Sequence, residues 1–594
     1  MRHLIGWIAL ASLCACTPPP SDGSPDAMAQ GAPPEARQGT LPDIVIVITD
    51  DQGWGDWEGS GNPLISTPAM MELAAQGATL TDFHVSPVCA PTRASLLTGR
   101  HALEVGVWGV TRGGERLRPD AVTIAENLKG LGYRTGMFGK WHSGDSAPYD
   151  PASQGFDRVF GFLAGHFTDY FDPVLLSDGE EVATRGYITT VVTDAALQWM
   201  REDSDTPTLT YVAYNTPHSP LEVPQSDLEP YLGTDLPLVT QTVYAMVTQL
   251  DAQLARLLDA ADEDTIVIFL GDNGPAKPGG VERFNGGLNG TKGSVRFGGT
   301  LVPAIVRWPG VTTPGSVVEA PAQHIDLLPT LVTALGGTPA PEVDGVDIRA
   351  ALQGDALPER TLFSHHTRTP TPDDPDIDPV QRSPGAARRG EFSAVFDPDG
   401  TWSLYRDRGQ SKDVSTEHPE VLADLKAQYD AWFDAVSPGA RDYLPNVASG
   451  SRLRLPAHNA YLSGDARYSE GWGWAQEWAV VEGEGAMRWP LRGDGGTYHL
   501  DILYGGGGGA SVGGDTFDLP QAEAPNRFPG EGHRRTVATG EAISRDWTRL
   551  RLGTVTVPEA EGDWLLDLSG HLEVKGVELT PAEDGSRSSP PARR

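Results

Sequence analysis

Two short polar pairs in this sequence follow predicted strands and could hold a metal ion. Asp50-Asp51 comes directly after a run of β-branched residues, and Asp272-Asn273 follows a second apolar run. Such runs are typical of parallel strands buried on both faces, and ligands bind at the carboxyl ends of such strands. Three carboxylates and one amide oxygen form a hard oxygen site. This donor set suits Ca²⁺, with Mg²⁺ as the alternative.

Cys89 is the one cysteine outside the amino-terminal leader. Pro91 is typical of the first turn of a helix and Gly99 of its end, so Cys89 is predicted to lie at a helix amino terminus. Backbone N–H groups and the helix dipole favour a bound anion at such a position. Arg93 follows one turn later and is placed to hold the group at position 89.

Four further basic side chains lie in short motifs beside predicted strands. Lys140 and His142 belong to Gly-Lys-Trp-His, His218 to Pro-His-Ser-Pro, and Lys292 to Gly-Thr-Lys-Gly. All three motifs are expected in loops after or between strands, where catalytic groups concentrate. Together these side chains predict a site that neutralises a negatively charged transition state.

The segment Cys-Ala-Pro-Thr-Arg at residues 89–93, with its continuation Leu-Thr-Gly-Arg at residues 97–100, resembles the signature of the type I sulfatases. The other motifs extend this arylsulfatase-like resemblance over residues 41–435 and imply the alkaline phosphatase superfold. The resemblance implies that a formylglycine-generating enzyme oxidises Cys89 to formylglycine (3-oxoalanine). The hydrate of that aldehyde would then attack the sulfur of a sulfate monoester, yielding an alcohol and inorganic sulfate.

The resemblance also implies a role for each side chain of the site. One calcium ion is expected on Asp50, Asp51, Asp272, Asn273 and the modified Cys89. Arg93 is expected to hold the hydroxyl of the modified residue. The sulfate would bind Lys140, Lys292 and His218, and either of the last two would protonate the leaving alcohol. His142 would remove a proton from the second hydroxyl, so that the aldehyde reforms.

Composition excludes some classes of protein. The chain has 594 residues, which predicts two or more domains, and its 80 acidic residues against 45 basic ones give a formal net charge of -35. A nucleic-acid-binding protein needs a basic surface, so we expect no nucleic-acid partner. The expected partner is a sulfated small molecule or glycan.

The amino terminus is interpreted as an export signal. Residues 4–13 are apolar but too few to span a bilayer, and the following Leu-Cys-Ala-Cys resembles a bacterial lipoprotein box. Residues 1–16 are therefore predicted to be a lipoprotein signal with Cys16 as the lipidated residue, Cys14 being the alternative. The Pro-rich residues 17–40 are predicted to be a disordered tether. The sequence thus favours a bacterial cell-envelope location, with membrane contact only through this lipid.

From residue 43, strand and helix patterns alternate. This predicts an α/β fold with a mainly parallel, doubly wound sheet. Helices are expected at residues 69–76, 238–260 and 325–335, and from Thr123, which can form a capping box with Glu126. The predicted domains are a catalytic α/β domain at 41–345, a small antiparallel subdomain ending in a helix at 346–448, a β-sandwich at 449–583 and a disordered tail at 584–594.

The predicted β-sandwich contains period-two stretches, a glycine run at residues 505–509 and several tryptophans. Short strands at regular spacing with turn signals suggest this architecture, and the pattern is similar to jelly-roll carbohydrate-binding modules. Most of the tryptophans are expected in its core. They are Trp472, Trp474, Trp478, Trp489, Trp547 and Trp564.

Two alternatives to a sulfatase remain at this stage. A phosphonate or phosphate ester hydrolase of the same superfold can share the Cys-x-Pro-x-Arg motif and much of the metal site. A catalytically dead glycan-binding surface protein would retain the fold alone. The Gly-Lys-Trp-His and Pro-His-x-Pro motifs favour the sulfatase over the first. The presence of every expected site residue disfavours the second.

Overall fold

The computed structural model describes residues 41–167, 169–202, 205–367, 378, 380–441, 444–469, 478–523, 538–539 and 547–582. The predicted signal, tether and carboxyl-terminal tail lie outside these ranges, as do Trp472 and Trp474. Within the described ranges, no helix combines the length and apolar composition needed to cross a bilayer.

The strands up to residue 323 are β1 (Ile44–Thr49), β2 (Ala78–Leu80), β3 (Phe83–His84), β4 (Arg134–Lys140), β5 (Arg158–Phe162), β6 (Val174–Ser177), β7 (Glu180–Ala183), β8 (Thr208–Ala213), β9 (Glu222–Val223), β10 (Ile266–Gly271), β11 (Ala304–Arg307), β12 (Ser316–Val318) and β13 (Ala322–Gln323). The later strands are β14 (Leu362–His365), β15 (Gly385–Arg389), β16 (Phe392–Phe396), β17 (Trp402–Tyr405), β18 (Asn446–Val447), β19 (Leu453–Pro456), β20 (Tyr461–Tyr468), β21 (Ala479–Arg492), β22 (Thr497–Val512), β23 (Asp515–Ala522), β24 (Ala538–Thr539), β25 (Thr548–Thr556) and β26 (Glu561–Pro581). The α-helices are α1 (Pro68–Gln76), α2 (Cys89–Thr98), α3 (Ile124–Gly130), α4 (Ile188–Met200), α5 (Gln225–Leu228), α6 (Leu238–Ala260), α7 (Phe297–Thr300), α8 (Leu327–Ala334), α9 (Arg349–Leu352) and α10 (Pro419–Arg441).

The central sheet has the strand order β12-β2-β11-β10-β1-β8-β4-β5-β6-β7. Its middle strands, from β10 through β1, β8 and β4 to β5, are all parallel. Ile44, Ile46 and Ile48 of β1 belong to a core that includes residues of α3 and α8. Val45 and Val47 point into the opposite core, with α1, α4 and α6. The unbroken β-branched run is thus buried on both faces, which confirms the predicted doubly wound α/β fold.

Several predicted helices are confirmed at or near their expected bounds. α6 spans Leu238–Ala260 as predicted. At the start of α3, the backbone N–H of Glu126 donates to the Thr123 hydroxyl at 3.2 Å, and that of Thr123 donates to the Glu126 carboxylate at 2.8 Å. One loop prediction was wrong, because β4 continues through Lys140, which therefore ends a strand.

The small antiparallel subdomain is confirmed. β14 to β17 form a sheet in sequence order, and α10 packs against it. Leu425, Tyr429 and Phe433 of α10 share a buried cluster with side chains of β15, β16 and β17. The helix spans Pro419–Arg441, near the end of the predicted subdomain.

β18 to β23, with β25 and β26, form one antiparallel-rich sheet, called here the β-module. Its strands were predicted to be short, but β21, β22 and β26 contain 14, 16 and 21 residues. The glycine run at residues 505–509 lies inside β22. A Cβ at Gly508 would lie 1.9 Å from the carbonyl oxygen of Ser569 on β26, so only glycine fits this close strand approach.

The β-module has its own hydrophobic core. Trp489 and Trp564 belong to this core, and Trp478 is also buried, as expected for most of the tryptophans. Trp547 is only partly buried and forms an edge-to-face pair with Trp478. Three of the four tryptophans of the module that the structure describes are therefore buried, in line with the expectation for most of them, whereas the strands are longer than expected.

Candidate functional site

The two polar pairs meet at one edge of the central sheet. β1 and β10 are parallel neighbours, with Thr49 opposite Gly271, so the residues after each strand lie side by side. The backbone N–H of Asp51 donates to Asp272 Oδ1 at 3.1 Å, and Asn273 Nδ2 donates to Asp51 Oδ1 at 2.8 Å. The predicted juxtaposition of these side chains is confirmed.

Each of the three carboxylates at this edge forms an ion pair with a different cation. Lys140 Nζ lies 2.6 Å from Asp50 Oδ2, with both side chains almost completely buried. Lys292 Nζ lies 2.6 Å from Asp51 Oδ1. The Arg93 guanidinium donates to Asp272 Oδ2 through Nε and a terminal nitrogen, at 3.1 and 2.9 Å. These residues form the carboxylate cluster: Asp50, Asp51, Asp272, Arg93, Lys140 and Lys292.

Cys89 begins α2 and lies beside the carboxylate cluster. Its Sγ and one oxygen each of Asp50 and Asp272 all lie within 4.8 Å of one another. Arg93 is four residues later on the same helix face, fully buried, and also donates to the carbonyl oxygen of Lys140 at 3.2 Å. The helix ends at Gly99 in a left-handed conformation, as predicted.

The paired charges shift the pKa values of these groups. Burial alone would raise the pKa of Asp50, but Lys140 and neighbouring positive groups hold it well below its usual range. Burial and the charge of Asp50 raise the pKa of Asp272 well above its usual range, despite Arg93. Burial disfavours the charged form of Lys292, yet Asp51 raises its pKa. Lys292 therefore stays protonated at neutral pH.

His142 has one ring nitrogen tied to the backbone and one that is not. Its Nε2 lies 2.9 Å from the carbonyl oxygen of Val110. A carbonyl only accepts, so Nε2 carries the proton and Nδ1 keeps its lone pair. Nδ1 is buried and has no hydrogen-bond partner in the described part of the chain. Burial and the charge of Lys140 lower the pKa of His142 to about 3, so the ring is neutral.

His218 lies at the solvent side of the carboxylate cluster. Its Nδ1 donates to the carbonyl oxygen of Ser219 at 2.7 Å, and its Nε2 lies 3.9 Å from Asp51 Oδ2. Burial, partly offset by Asp50, lowers the pKa of His218 to about 4. The His166 ring packs against it with centroids 5.1 Å apart. Nε2 of His218 therefore faces the cluster as a neutral acceptor.

The donor set fits a hard divalent cation. Asp50 Oδ1 and Asn273 Oδ1 are buried without a hydrogen-bond partner among the described residues. Leaving such oxygens unsatisfied is costly, and a cation bound to both would satisfy them. Carboxylate and amide oxygens suit Ca²⁺ or Mg²⁺ and not a thiolate-binding metal.

Residues 42–337 match the family model described as Sulfatase. Human arylsulfatase A is 33% identical over 441 residues, which cover 65% of this chain and 81% of the human protein. The chain belongs to the type I sulfatase family. It is therefore a sulfuric ester hydrolase with an alkaline phosphatase-like fold.

Other sulfatases support this assignment. The N-acetylgalactosamine-6-sulfatase of Sus scrofa is 29% identical over 376 residues, which cover 55% of this chain and 69% of the pig protein. The crystal structure of Ps i-CgsB in complex with k-i-k-neocarrahexaose superposes with a TM-score of 0.62 at 26% identity. That match covers 67% of this sulfatase and 94% of Ps i-CgsB, so a substantial part of this chain has no counterpart there.

Several residues that support the site of this sulfatase were missed from the sequence. Arg283 binds the Asp56 carboxylate with two nitrogens at 2.8 Å and donates to the Asp51 carbonyl oxygen at 2.7 Å. This arginine holds the turn in which Asp51 takes a left-handed backbone conformation, φ 66°. In the sequence, the acidic residues close to Asp51 were the only feature that could have indicated a role for Asp56.

Four further residues for which the sequence motifs give no role are buried in this sulfatase: Trp108, Arg112, Arg116 and His166. Arg116 donates to the carbonyl oxygen of Leu444 and to Asn446 Oδ1, at 2.6 and 2.8 Å. Nothing in the local pattern predicts a partner more than 300 residues away, so these positions could not have been assigned without the tertiary structure.

Proposed function

We propose that this sulfatase hydrolyses sulfate monoesters of aryl or carbohydrate alcohols to the alcohol and inorganic sulfate, with a formylglycine at position 89 and one bound calcium ion. The observation that carries the proposal is the carboxylate cluster, which places two fully buried ion pairs, and a third that is partly exposed at Lys292, beside Cys89. No simple structural role requires so many charged groups around one buried cysteine, because each costs free energy to desolvate.

Charge balance supports an anionic substrate. Three carboxylates and three cations cancel in the carboxylate cluster. Asp50, Asp51, Asp272 and Asn273 would hold a calcium ion, which when bound would polarise the sulfate ester and give the site a net positive charge. Lys140 and Lys292 would then be free to turn toward sulfate oxygens. The sulfate would also lie near the amino terminus of α2.

Formylglycine, formed from Cys89, would supply as its hydrate one hydroxyl to attack sulfur and a second hydroxyl to be deprotonated. Arg93 would orient the group at position 89, because the guanidinium is anchored to Asp272 and to the Lys140 carbonyl. His142 would accept the proton of the second hydroxyl at Nδ1. Its neutral state at physiological pH and its tautomer suit that role.

The leaving alcohol needs a proton, for which two donors were considered. Lys292, once calcium replaces it at Asp51, would place its positive charge beside the sulfate oxygens. His218 is neutral without a ligand, but the negative charge of a bound sulfate ester would raise its pKa from about 4 toward the working pH. We therefore assign proton donation to His218 Nε2 and charge neutralisation to Lys292.

The decisive experiment is the mass of the tryptic peptide that ends at Arg93, from protein made in its native host. A loss of about 18 Da is expected when the thiol becomes an aldehyde, with labelling by aldehyde-specific reagents. A free thiol in active enzyme would overturn the proposed nucleophile. Rates on 4-nitrophenyl sulfate and on a matched 4-nitrophenyl phosphonate ester separate the sulfatase from the phosphonate hydrolase.

The catalytically dead alternative is tested with Cys89→Ala. If this variant retains every effect of the wild type in its host, the protein acts by binding alone. If hydrolysis and the effect disappear together, the enzyme is required. If the protein acts by binding alone, the wild type and Cys89→Ala should bind glycan equally. A binding measurement on these two proteins completes the comparison.

We also propose that the chain is exported and anchored to the bacterial cell envelope by a lipid on Cys16, after maturation by a formylglycine-generating enzyme. The apolar leader and the cysteine that follows it support this location. Incorporation of labelled fatty acid into the wild type and Cys14→Ser protein, but not into Cys16→Ser protein, is expected. Label in the Cys16→Ser protein would exclude Cys16 as the lipidated residue, and the absence of label from all three proteins would exclude the anchor.

A further inference from the structure

A cavity of about 440 Å³ lies between the catalytic domain and the β-module. On the catalytic side it is lined by the end of β5, the loop after it, and β6 and β7. On the other side, residues of β19, β22, β25 and β26 complete the wall. The volume is typical of sites that bind small molecules.

This cavity shares a stretch of backbone with the active site. The carbonyl oxygens of Phe162 and Leu163 accept hydrogen bonds from the backbone N–H groups of Trp141 and His142, at 3.0 and 2.9 Å. Phe162 and Leu163 also line the cavity. A ligand in the cavity would therefore lie one layer of backbone away from His142.

The lining combines aromatic, cationic and anionic groups. Trp547 and Phe167 supply apolar ring surface. The charged lining residues are Arg454, Arg549, Lys575, Asp145, Asp169, Glu181 and Glu578. Some of these groups already pair with one another, as Arg549 does with Glu578, but an apolar ligand would still keep water away from charged side chains, and a simple anion would not use the carboxylates. A sugar ring suits both, because its C–H face packs on an aromatic ring while its hydroxyls donate and accept hydrogen bonds.

The walls of the cavity are held in place across the domain boundary. The backbone N–H of Arg454 donates to Ser146 Oγ at 3.0 Å, and Asn459 Nδ2 donates to Asp145 Oδ2 at 2.9 Å. Arg549 is bonded to Glu578 at 2.5 Å and lies 3.8 Å from Glu181 of β7. A site formed before the ligand arrives loses less conformational entropy on binding.

The charges that line the cavity are nearly balanced. The whole chain has a formal net charge of -35, whereas three cations and four carboxylates line this cavity. Glu578 is neutralised by Arg452 and Arg549. Burial and Glu115 raise the pKa of Asp145 to about 7, so its negative charge is reduced. The cavity therefore does not repel an anionic saccharide as the rest of the surface would.

We propose that this interdomain cavity binds sugar units of a sulfated glycan substrate beyond the unit that carries the scissile sulfate, with Trp547 as the stacking platform and Arg454 and Lys575 as donors to hydroxyl or sulfate oxygens. The proposal rests on the proposed carbohydrate sulfatase activity and specifies its substrate class as an oligosaccharide. It makes the β-module part of the substrate-binding surface.

The test compares a small and a large substrate in the full-length enzyme. The probes are 4-nitrophenyl sulfate and hexasaccharides of carrageenan, chondroitin sulfate and heparin. Trp547→Ala should lower kcat/KM for the preferred hexasaccharide about tenfold, a loss of one good ring contact. The same variant should leave kcat/KM for 4-nitrophenyl sulfate within about twofold. Trp547→Phe, which keeps a ring, should recover most of the hexasaccharide activity.

The outcomes distinguish this proposal from the proposed function. An equal fall on both substrates, or no change on any hexasaccharide, would overturn the cavity assignment while leaving the sulfatase activity established. If the wild type hydrolyses no sulfate ester, the proposed function fails. Calorimetric titration with the same hexasaccharides then tests separately whether the cavity binds them. Binding that Trp547→Ala weakens supports the site, whereas absent or unchanged binding overturns it.

Discussion

The carbonyl oxygen of Val110 lies 2.9 Å from Nε2 of His142 and determines which ring nitrogen carries the proton. Val110 belongs to a loop whose backbone N–H at Arg112 donates to Asn459 Oδ1 of the β-module at 2.8 Å. The same Asn459 donates to Asp145 Oδ2 at 2.9 Å. The β-module thus holds, through one buried amide, the loop that orients the proposed proton acceptor.

Asn459 is therefore expected to be a positioning residue. Asn459→Ala should lower kcat about tenfold with 4-nitrophenyl sulfate and leave KM within about twofold, because His142 orientation and not substrate binding is disturbed. Asn459→Asp should be more impaired, since it adds a carboxylate beside Asp145. In both variants, the acidic limb of the plot of kcat against pH should shift relative to that of the wild type. Unchanged kcat and pH profile would contradict this role, and Arg467→Ala, at an exposed ion pair, is the control.

Cys89→Ala should abolish hydrolysis while the protein remains folded. The loss should be at least about 10³-fold, because the nucleophile is removed. Cys89→Ser should react once and retain a covalent sulfate, since serine has no second hydroxyl from which the intermediate can collapse. Intact-mass measurement after one exposure to substrate detects that adduct. Multiple turnovers by Cys89→Ser would rule out the proposed release step.

Lys140→Met should be strongly destabilising in chelator-treated protein. The substitution leaves Asp50 buried without its counter-ion, at a cost of about 3 to 5 kcal/mol in the free energy of unfolding. Lys129→Met is the matched control, because the Lys129–Asp157 pair is partly exposed and worth only about 0 to 1 kcal/mol. Urea unfolding of the three proteins gives both values. A similar cost for the two variants would contradict the burial argument.

Calcium removal should lower the thermal midpoint as well as activity. A chelator would expose the uncompensated oxygens of Asp50 and Asn273. Calcium at 100 times its Kd stabilises the folded state by about 2.7 kcal/mol. Mg²⁺ should restore less of the stability that the chelator removes. Asn273→Ala should lose this calcium response. Asn446→Ala, a buried amide outside the site, should keep it, and equal responses would contradict the assigned ligands.

Acidification from pH 7.5 to 5 should lower the free energy of unfolding. Among the described residues, burial lowers the pKa of His84, His101, His142, His218, His324, His365, His366 and His458. Unfolding returns the pKa of each histidine to its ordinary value, so the unfolded state binds more protons than the folded state across this range. The free energy of unfolding therefore decreases as the pH is lowered. Carboxyl groups with raised pKa values oppose this trend but are fewer: Glu104, Asp145, Asp227, Asp251 and Asp272.

One variant tests this attribution. The pKa of His324 is lowered to about 3, and His324→Phe should reduce the pH slope by at most about 1.4 kcal/mol per pH unit. Urea unfolding at several pH values measures the slope. Stability that is constant or rises toward pH 5 would contradict the expectation.

The catalytic fold and the central site could be predicted from the sequence. The β-branched run of β1, the capping box of α3 and the Cys-x-Pro-x-Arg segment are local patterns, and each has a local physical cause. Because parallel strands end at a common edge, the positions of Asp50 and Asp272 followed from strand order alone.

The β-module was predicted less well, and for a physical reason. A glycine run is a turn signal in isolation, but in β22 it permits close contact with β26, which depends on a partner strand about 60 residues later. Likewise, no sequence pattern links Arg112 to Asn459, since a hydrogen bond across the domain boundary depends on how two cores pack.

The sequence by itself determined which chemical groups meet in this sulfatase: the cysteine at a helix terminus, the carboxylate and amide side chains after two strands, and the basic side chains beside them. Residue type and short spacing carry that information. Only the tertiary structure decided which cation pairs with which carboxylate, which nitrogen of His142 is free, and that the β-module contacts the loop of Arg112. Those features depend on distances between residues far apart in the chain, and the packing of whole domains sets such distances.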